Sequence, residues 1–262
     1  MTRATLAALL AALQAAGGAP VPYPAAAPTS PGYPFDVGET FEYTAKLGVL
    51  KLGEASMQVV SIDTVRGQPV FFFRFKLEGG NFLFRISNVL ESWTSVRDFK
   101  SLRFRNDNTE NGKTRLHEYE IFPDSGFYRQ KGKTTPDPTP LQPLDDAAIL
   151  YYVRSTPLEL GKTYRVDKYF RNEKNPLVIR VLKRERMELP DGSKTDCLVL
   201  NPVIDDRGMF ADRADARLWI TDDPRRIPVQ IRSTYPFGTV TLRLEKMSLA
   251  PGSRPGGAGG GG

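Results

Sequence analysis

Leu102-Arg103-Phe104-Arg105-Asn106-Asp107-Asn108-Thr109-Glu110, then Asn111-Gly112, then Lys113-Thr114-Arg115-Leu116-His117-Glu118-Tyr119-Glu120-Ile121, is a stretch that sets its own register. Asn-Gly supplies the two left-handed positions of a tight hairpin turn. Folding about it places Leu102 opposite Ile121 and Phe104 opposite Tyr119 on one face. Arg103 then meets Glu120, and Arg105 meets Glu118, on the other face. Cross-strand neighbours favour apolar against apolar and cation against anion. A slip of one residue would break both patterns together. The stretch predicts an antiparallel hairpin with one buried face.

The same alternation extends outward. Phe41-Glu42-Tyr43-Thr44-Ala45-Lys46-Leu47 alternates apolar and polar, the mark of a half-buried strand. Val70 to Leu77 carries three consecutive Phe and then alternates. Further strands are expected at 54–63, 83–97, 163–171, 177–188, 194–204, 215–221, 227–235 and 238–248. Turn signals at Gly79-Gly80-Asn81, Pro123-Asp124-Ser125-Gly126 and Pro190-Asp191-Gly192 separate some of them. Many short strands at this spacing predict an all-β, mainly antiparallel fold, either a strongly curved sheet or an open β-barrel.

One helix interrupts the pattern, at about 145–154. Asp145 or Asp146 caps it and Arg154 sits at its far end, so both charges suit the helix dipole. Between them Ala147-Ala148-Ile149-Leu150-Tyr151-Tyr152-Val153 is apolar on every face, which predicts burial. The helix is expected to lie across the concave side of the sheet as a plug or lid. Prolines 136, 138, 140 and 143 before it predict an irregular connection.

The ends differ from the body. Met1-Thr2-Arg3 and an Ala/Leu-rich run resemble a secretory signal over 1–18, too short to span a bilayer. Residues 19–34 read as a Pro/Ala-rich linker, 35–249 as a single β-rich domain and 250–262 as a Gly-rich tail with no means of packing. The expected location is periplasmic or secreted. Among 262 residues, 36 basic and 30 acidic side chains give a net charge of +6, well interspersed. No arginine-rich helix or zinc pattern accompanies that charge, which argues against nucleic acid as a partner.

Candidate chemistry is sparse. The single His117 falls opposite Asn106 without an identifiable acidic or nucleophilic partner, so it reads as a strand histidine. The single Cys197 lies in Asp196-Cys197-Leu198-Val199-Leu200 and reads as a small buried hydrophobe. Asp205, Asp206, Asp212 and Asp215 form a loose acidic cluster without the order of a calcium-binding loop. No G-x-S-x-G element, H-E-x-x-H site or phosphate-binding loop occurs, so no catalytic, metal or cofactor site is expected. Aromatics are the stronger signal. Phe71, Phe72, Phe73, Phe75, Phe82 and Phe84 crowd one region. Adjacent strand residues point to opposite faces, so either both faces are covered or one row lines a cavity. Phe73, Phe75, Phe84, Leu150 and Tyr151 are the expected cavity lining.

Three ordered stretches resemble the bacterial family called domain of unknown function 3108. They are Phe35 to Tyr43 with Leu52-Gly53-Glu54-Ala55, Asp145 to Arg154 with Thr156-Pro157-Leu158-Glu159-Leu160-Gly161, and Leu218 to Val229. The resemblance covers about Phe35 to Leu244. It implies an exported, envelope-associated β protein without assigned biochemistry, and it supplies no catalytic residues. Asp145, Arg154, Trp219, Asp223 and Pro228 match its recurring pattern, where they imply structural roles. A looser architectural analogy is to the periplasmic carriers of lipoproteins, which fold a curved sheet around helices; fold alone does not fix function.

The resulting expectation is a non-enzymatic periplasmic protein that binds a hydrophobic or lipid-like envelope component between sheet and helix, with no transmembrane span in the mature chain. The alternative is a solid-cored scaffold for an envelope protein partner. A third reading, a glycan hydrolase, requires a facing pair of carboxylates that sequence cannot place.

Overall fold

The computed structural model describes residues 32–80, 85–205, 210, 215–235 and 238–250. The leader read at 1–18, most of the linker, nearly all of the tail, and Phe82, Phe84, Asp206 and Asp212 lie outside the described residues.

β1 (Thr40–Leu47) starts in the middle of a sheet. From it β2 (Leu50–Val65), β3 (Gln68–Gly80), β4 (Arg85–Ser95), β5 (Ser101–Glu110), β6 (Lys113–Phe122), β7 (Phe127–Gln130) and β8 (Asp137–Pro138) step outward to one edge. Helix α1 (Asp146–Ser155) then carries the chain to the opposite edge. From there β9 (Thr163–Val166), β10 (Leu177–Glu188), β11 (Lys194–Val203), β12 (Arg217–Thr221), β13 (Pro228–Tyr235) and β14 (Gly238–Ser248) step back until β14 pairs with β1. The described residues thus form one antiparallel sheet of 14 strands, the expected all-β class.

Register shifts occur at Glu42/Tyr43, Ala45/Lys46, Val59/Ser61, Trp93/Thr94, Val181/Lys183 and Trp219/Ile220. Each such irregularity raises the local twist, which curls a long sheet. The two edges approach each other without a continuous ladder. Leu144 N–H donates to Lys168 O at 2.5 Å, Phe170 N–H donates to Leu144 O at 3.0 Å, and the Thr139 hydroxyl donates to Phe170 O at 2.7 Å. The seam of this barrel-like sheet is therefore stitched by irregular chain on either side of α1.

The β5–β6 hairpin has the expected register: Arg103 opposite Glu120, Phe104 opposite Tyr119, Arg105 opposite Glu118 and Asn106 opposite His117. Asn111 and Gly112 both have positive φ, +49° and +77°. One expected pair is corrected. Leu102 does not join Ile121 in the main core but packs with Val65 and Val70 in a separate cluster. The β4–β5 register shifts at Trp93/Thr94, which adds a residue opposite Thr94 and turns Leu102 to the other face. The strand expected over 163–171 stops at Val166, because Tyr169 and Phe170 are used at the seam. β7 and β8 are short strands that were not expected, β8 lying inside the proline-rich connection.

Candidate functional site

The organising element is α1, which packs on β3 and β4. Its first anchor is Asp145. One carboxylate oxygen accepts the amides of Ala147 and Ala148 at 3.0 and 2.9 Å, and the other accepts the Ser92 hydroxyl at 2.6 Å. The Asp145 amide donates to Ser101 Oγ at 3.0 Å. Burial pushes the Asp145 carboxyl up to about 6 against the pull of these donors.

The second anchor is Arg154, at the other end of α1. Its guanidinium makes a two-pronged contact with Glu39, at 2.6 and 2.9 Å, and neither side chain is more than 2% exposed. Further donors reach the carbonyls of Pro34, Arg225 and Arg226 at 3.1, 3.2 and 3.0 Å. Burial works against the charge, but Glu39 prevails and holds the guanidinium above its ordinary value. Each guanidinium nitrogen of Arg154 thus has an acceptor, and a buried ion pair is tolerated when further hydrogen bonds support it. Pro34 was expected in an extended linker; instead its carbonyl is a partner of Arg154, and Tyr33 stacks on Phe35 at 5.3 Å.

The family-like residues near 219–228 support this anchor. Asp223 accepts the Thr221 hydroxyl at 2.8 Å and the amides of Arg225 and Arg226 at 2.9 and 3.2 Å, shaping the turn whose carbonyls face Arg154. Pro228 O accepts the Tyr43 hydroxyl at 2.9 Å. Trp219 is buried, with Arg232 over its ring at 5.3 Å.

Phe73, Phe75, Leu150 and Tyr151, four of the five expected cavity residues, are all buried in the main core. Phe73 and Tyr151 stack with ring centroids 3.8 Å apart, and Phe35 meets Tyr151 edge-on at 5.0 Å. At these positions the structure sets sheet and helix in direct contact where a space between them was expected. Phe84 lies outside the described residues. The triple Phe resolves by alternation: Phe71 and Phe73 point inward, while Phe72 stacks on Trp93 outside at 4.8 Å.

His117 Nδ1 lies 3.1 Å from Gln130 Nε2 on the partly exposed end of β6. Burial pushes the Cys197 thiol up to about 12, leaving it protonated and unreactive near neutrality. Among the described residues no group of three His, Cys, Asp or Glu side chains is placed to hold a metal ion. Two members of the acidic cluster, Asp206 and Asp212, lie outside the described residues. Among the described residues no helix is long and apolar enough to cross a membrane.

Sequence reasoning missed a further arrangement on the outer face. One cross-strand row runs Phe72–Trp93–Arg103–Glu120–Arg129 over β3 to β7. Beside it Arg74–Glu91–Arg105–Glu118 runs over β3 to β6, and Lys131 reaches Glu118 at 2.6 Å. The Arg103–Glu120 and Arg105–Glu118 pairs were legible in the hairpin. Their continuation depends on the register of β4 and β7, which no local signal specifies.

An all-β, barrel-like protein whose curled antiparallel sheet holds one buried helix is the class these features define. The chain belongs to the family described as Protein of unknown function (DUF3108), whose model matches residues 42–245. No curated protein matches it. A solved beta-barrel-like protein of domain of unknown function DUF1849 from Brucella abortus is similar at 11% identity, with 83% of this chain and 99% of that chain covered and a TM-score of 0.49. A structure assigned as a lipoprotein of Parabacteroides distasonis is similar at 9% identity, with 83% and 99% covered and a TM-score of 0.30.

Proposed function

We propose that the protein is a non-enzymatic cell-envelope protein with a solid core, which engages envelope components through its outer surface. The observation that carries this reading is the 3.8 Å stack of Tyr151 on Phe73, at the position where an enclosed ligand would have to sit. Helix α1 is fixed at both ends by buried polar groups, which suits a permanent plug better than a lid. A non-enzymatic role is further supported by the use of Asp145, Glu39 and Arg154 in anchoring, since each is buried and hydrogen-bonded within the fold.

Leu150→Trp tests the reading, with urea unfolding and native mass spectrometry of protein purified from the periplasm. A solid core predicts a loss of about 1–3 kcal/mol from overpacking, with the mass distribution of the purified protein unchanged. A variant that keeps its stability while losing a lipid-sized adduct carried by the original protein would overturn the reading in favour of an enclosed ligand.

A further inference from the structure

The two cross-strand rows border an open groove of about 480 Å³ on the outer face, lined by Trp93, Phe122, Arg103, Arg105, Glu118, Glu120, Arg129 and Lys131 among others. That volume falls in the range of small-ligand sites. Four of these side chains are cationic and two are carboxylates. Glu120 is shared, accepting Arg66 at 2.6 Å and Arg103 at 2.5 Å. Arg129, directly across from Glu120, is exposed and makes no ion pair among the described residues; its guanidinium lies 6.0 Å from the Phe127 ring. The lining therefore presents a cationic surplus at the β7 end.

The rings narrow the choice of ligand. Trp93 has Phe72 stacked on it from β3 at 4.8 Å and Arg103 over it from β5 at 5.5 Å. Phe122 has Phe127 against it at 4.8 Å and Arg66 over it at 4.4 Å. The ring faces are already occupied, so a base or a planar aromatic ligand finds no stacking platform. What remains for contact is ring edge and the methylene stems of Arg103, Arg105 and Lys131, apolar surface that long cationic side chains commonly present. Such a wall suits an aliphatic chain, and the surplus guanidinium suits an anionic head.

We propose that this groove binds an acyl chain bearing an anionic head group, with the chain along Trp93 and Phe122 and the head at Arg129. The proposal deepens the surface-engagement reading above and rests on it. Laurate titrated by calorimetry and phosphatidylglycerol vesicles in a flotation assay are the probes. Dodecyltrimethylammonium and phosphatidylcholine vesicles are the controls of opposite or zero charge. Saturable laurate binding that weakens at least tenfold in Arg129→Glu, and is unchanged in Leu150→Trp, is the expected result. Binding of laurate alone identifies a free amphiphile as the source; binding to phosphatidylglycerol vesicles alone, lost in Arg129→Glu, identifies a membrane surface. Either supports the site. Binding of neither probe, equal binding of the cationic control, or binding that survives Arg129→Glu overturns it. Laurate binding lost only in Leu150→Trp would overturn the solid-core reading as well. Silence of both probes beside a destabilised Leu150→Trp would overturn the groove alone.

Discussion

Asp145 and Arg154 occupy the two ends of one short helix, yet their electrostatic situations are opposite. Arg154 keeps its charge because Glu39 shares the enclosure and three carbonyls also accept from the guanidinium. Asp145 has only neutral donors around it, and desolvation is the larger effect, so its carboxyl rises from an ordinary 3.8 to about 6. The unfolded chain then releases this proton near pH 4, and the folded protein near pH 6. Between those values the folded state holds one more proton, so this contribution to stability falls as pH rises through the window and is flat above it. The shift corresponds to about 3 kcal/mol in order of magnitude. Asp145→Asn keeps an oxygen for the Ala147 and Ala148 amides but cannot ionise. We expect the original protein to gain about 2–3 kcal/mol relative to Asp145→Asn between about pH 7 and pH 4, by urea unfolding at each pH. A difference that stays constant across that range would mean that the surrounding hydrogen-bond donors and the helix dipole keep the carboxylate ionised.

Strands β2 and β3 meet at a place where no side chain fits. Gly53 pairs with Gly79, and a Cβ on Gly53 would lie 2.0 Å from Glu78 O and 2.4 Å from Gly79 Cα. Both obstacles are backbone, so relief requires the strands to separate. Gly53→Ala should therefore cost about 2 kcal/mol or more and lower Tm by about 5 °C or more, measured by thermal unfolding; an unchanged Tm would mean that the close approach is not a fixed feature. This glycine lies in one of the family-like stretches, but its reason is visible only once β3 is placed beside it. The same limit separates the legible from the illegible elsewhere. The β5–β6 register could be read because charge and apolar patterns agree across a two-residue turn. The turning of Leu102 could not, because the bulge that causes it belongs to the contact with β4. The Asp145 cap is local and was readable, whereas Arg154 finds Glu39 across 115 residues with no pattern linking them. β7 and β8 are too short to alternate visibly, and β8 lies among prolines. The helix was correctly read as buried; its direct stacking on Phe73 depends on the curvature of the sheet, which the bulges set. The outer rows were half visible, as two charge pairs, and became a candidate site only through the neighbours on β4 and β7.

The order of strands gives the protein two different joints. Where the sheet is continuous, β1 lies between β2 and β14, with ladder partners from Thr40 opposite Ser248 to Leu47 opposite Val240. Where it is broken, no ladder joins β8 to β9 among the described residues; the edges meet through backbone bonds around Leu144 and Phe170, the packing of Phe170 against Tyr128, the hydrogen bond from Arg171 to the Tyr119 hydroxyl, and α1. The first and last strands of the sheet therefore form the strong joint, while the stretch carrying α1 crosses the weak one. Connectivity through α1 is then more important than connectivity through any exposed turn. Joining the ends near residues 32 and 250 with a short Gly-rich linker and reopening the chain between Asp191 and Gly192 removes only an exposed turn between β10 and β11. That turn holds itself, with the Asp191 carboxylate accepting the Ser193 amide at 2.9 Å. We expect this circular permutant to retain the far-ultraviolet circular dichroism of the original and a single cooperative unfolding transition. A permutant opened between Thr156 and Pro157 cuts the chain between α1 and β9, and should unfold at lower temperature with reduced cooperativity. Equal behaviour of the two would mean that the seam is held by its side chains and backbone bonds alone, and that α1 is a filler of the core and not its fastening.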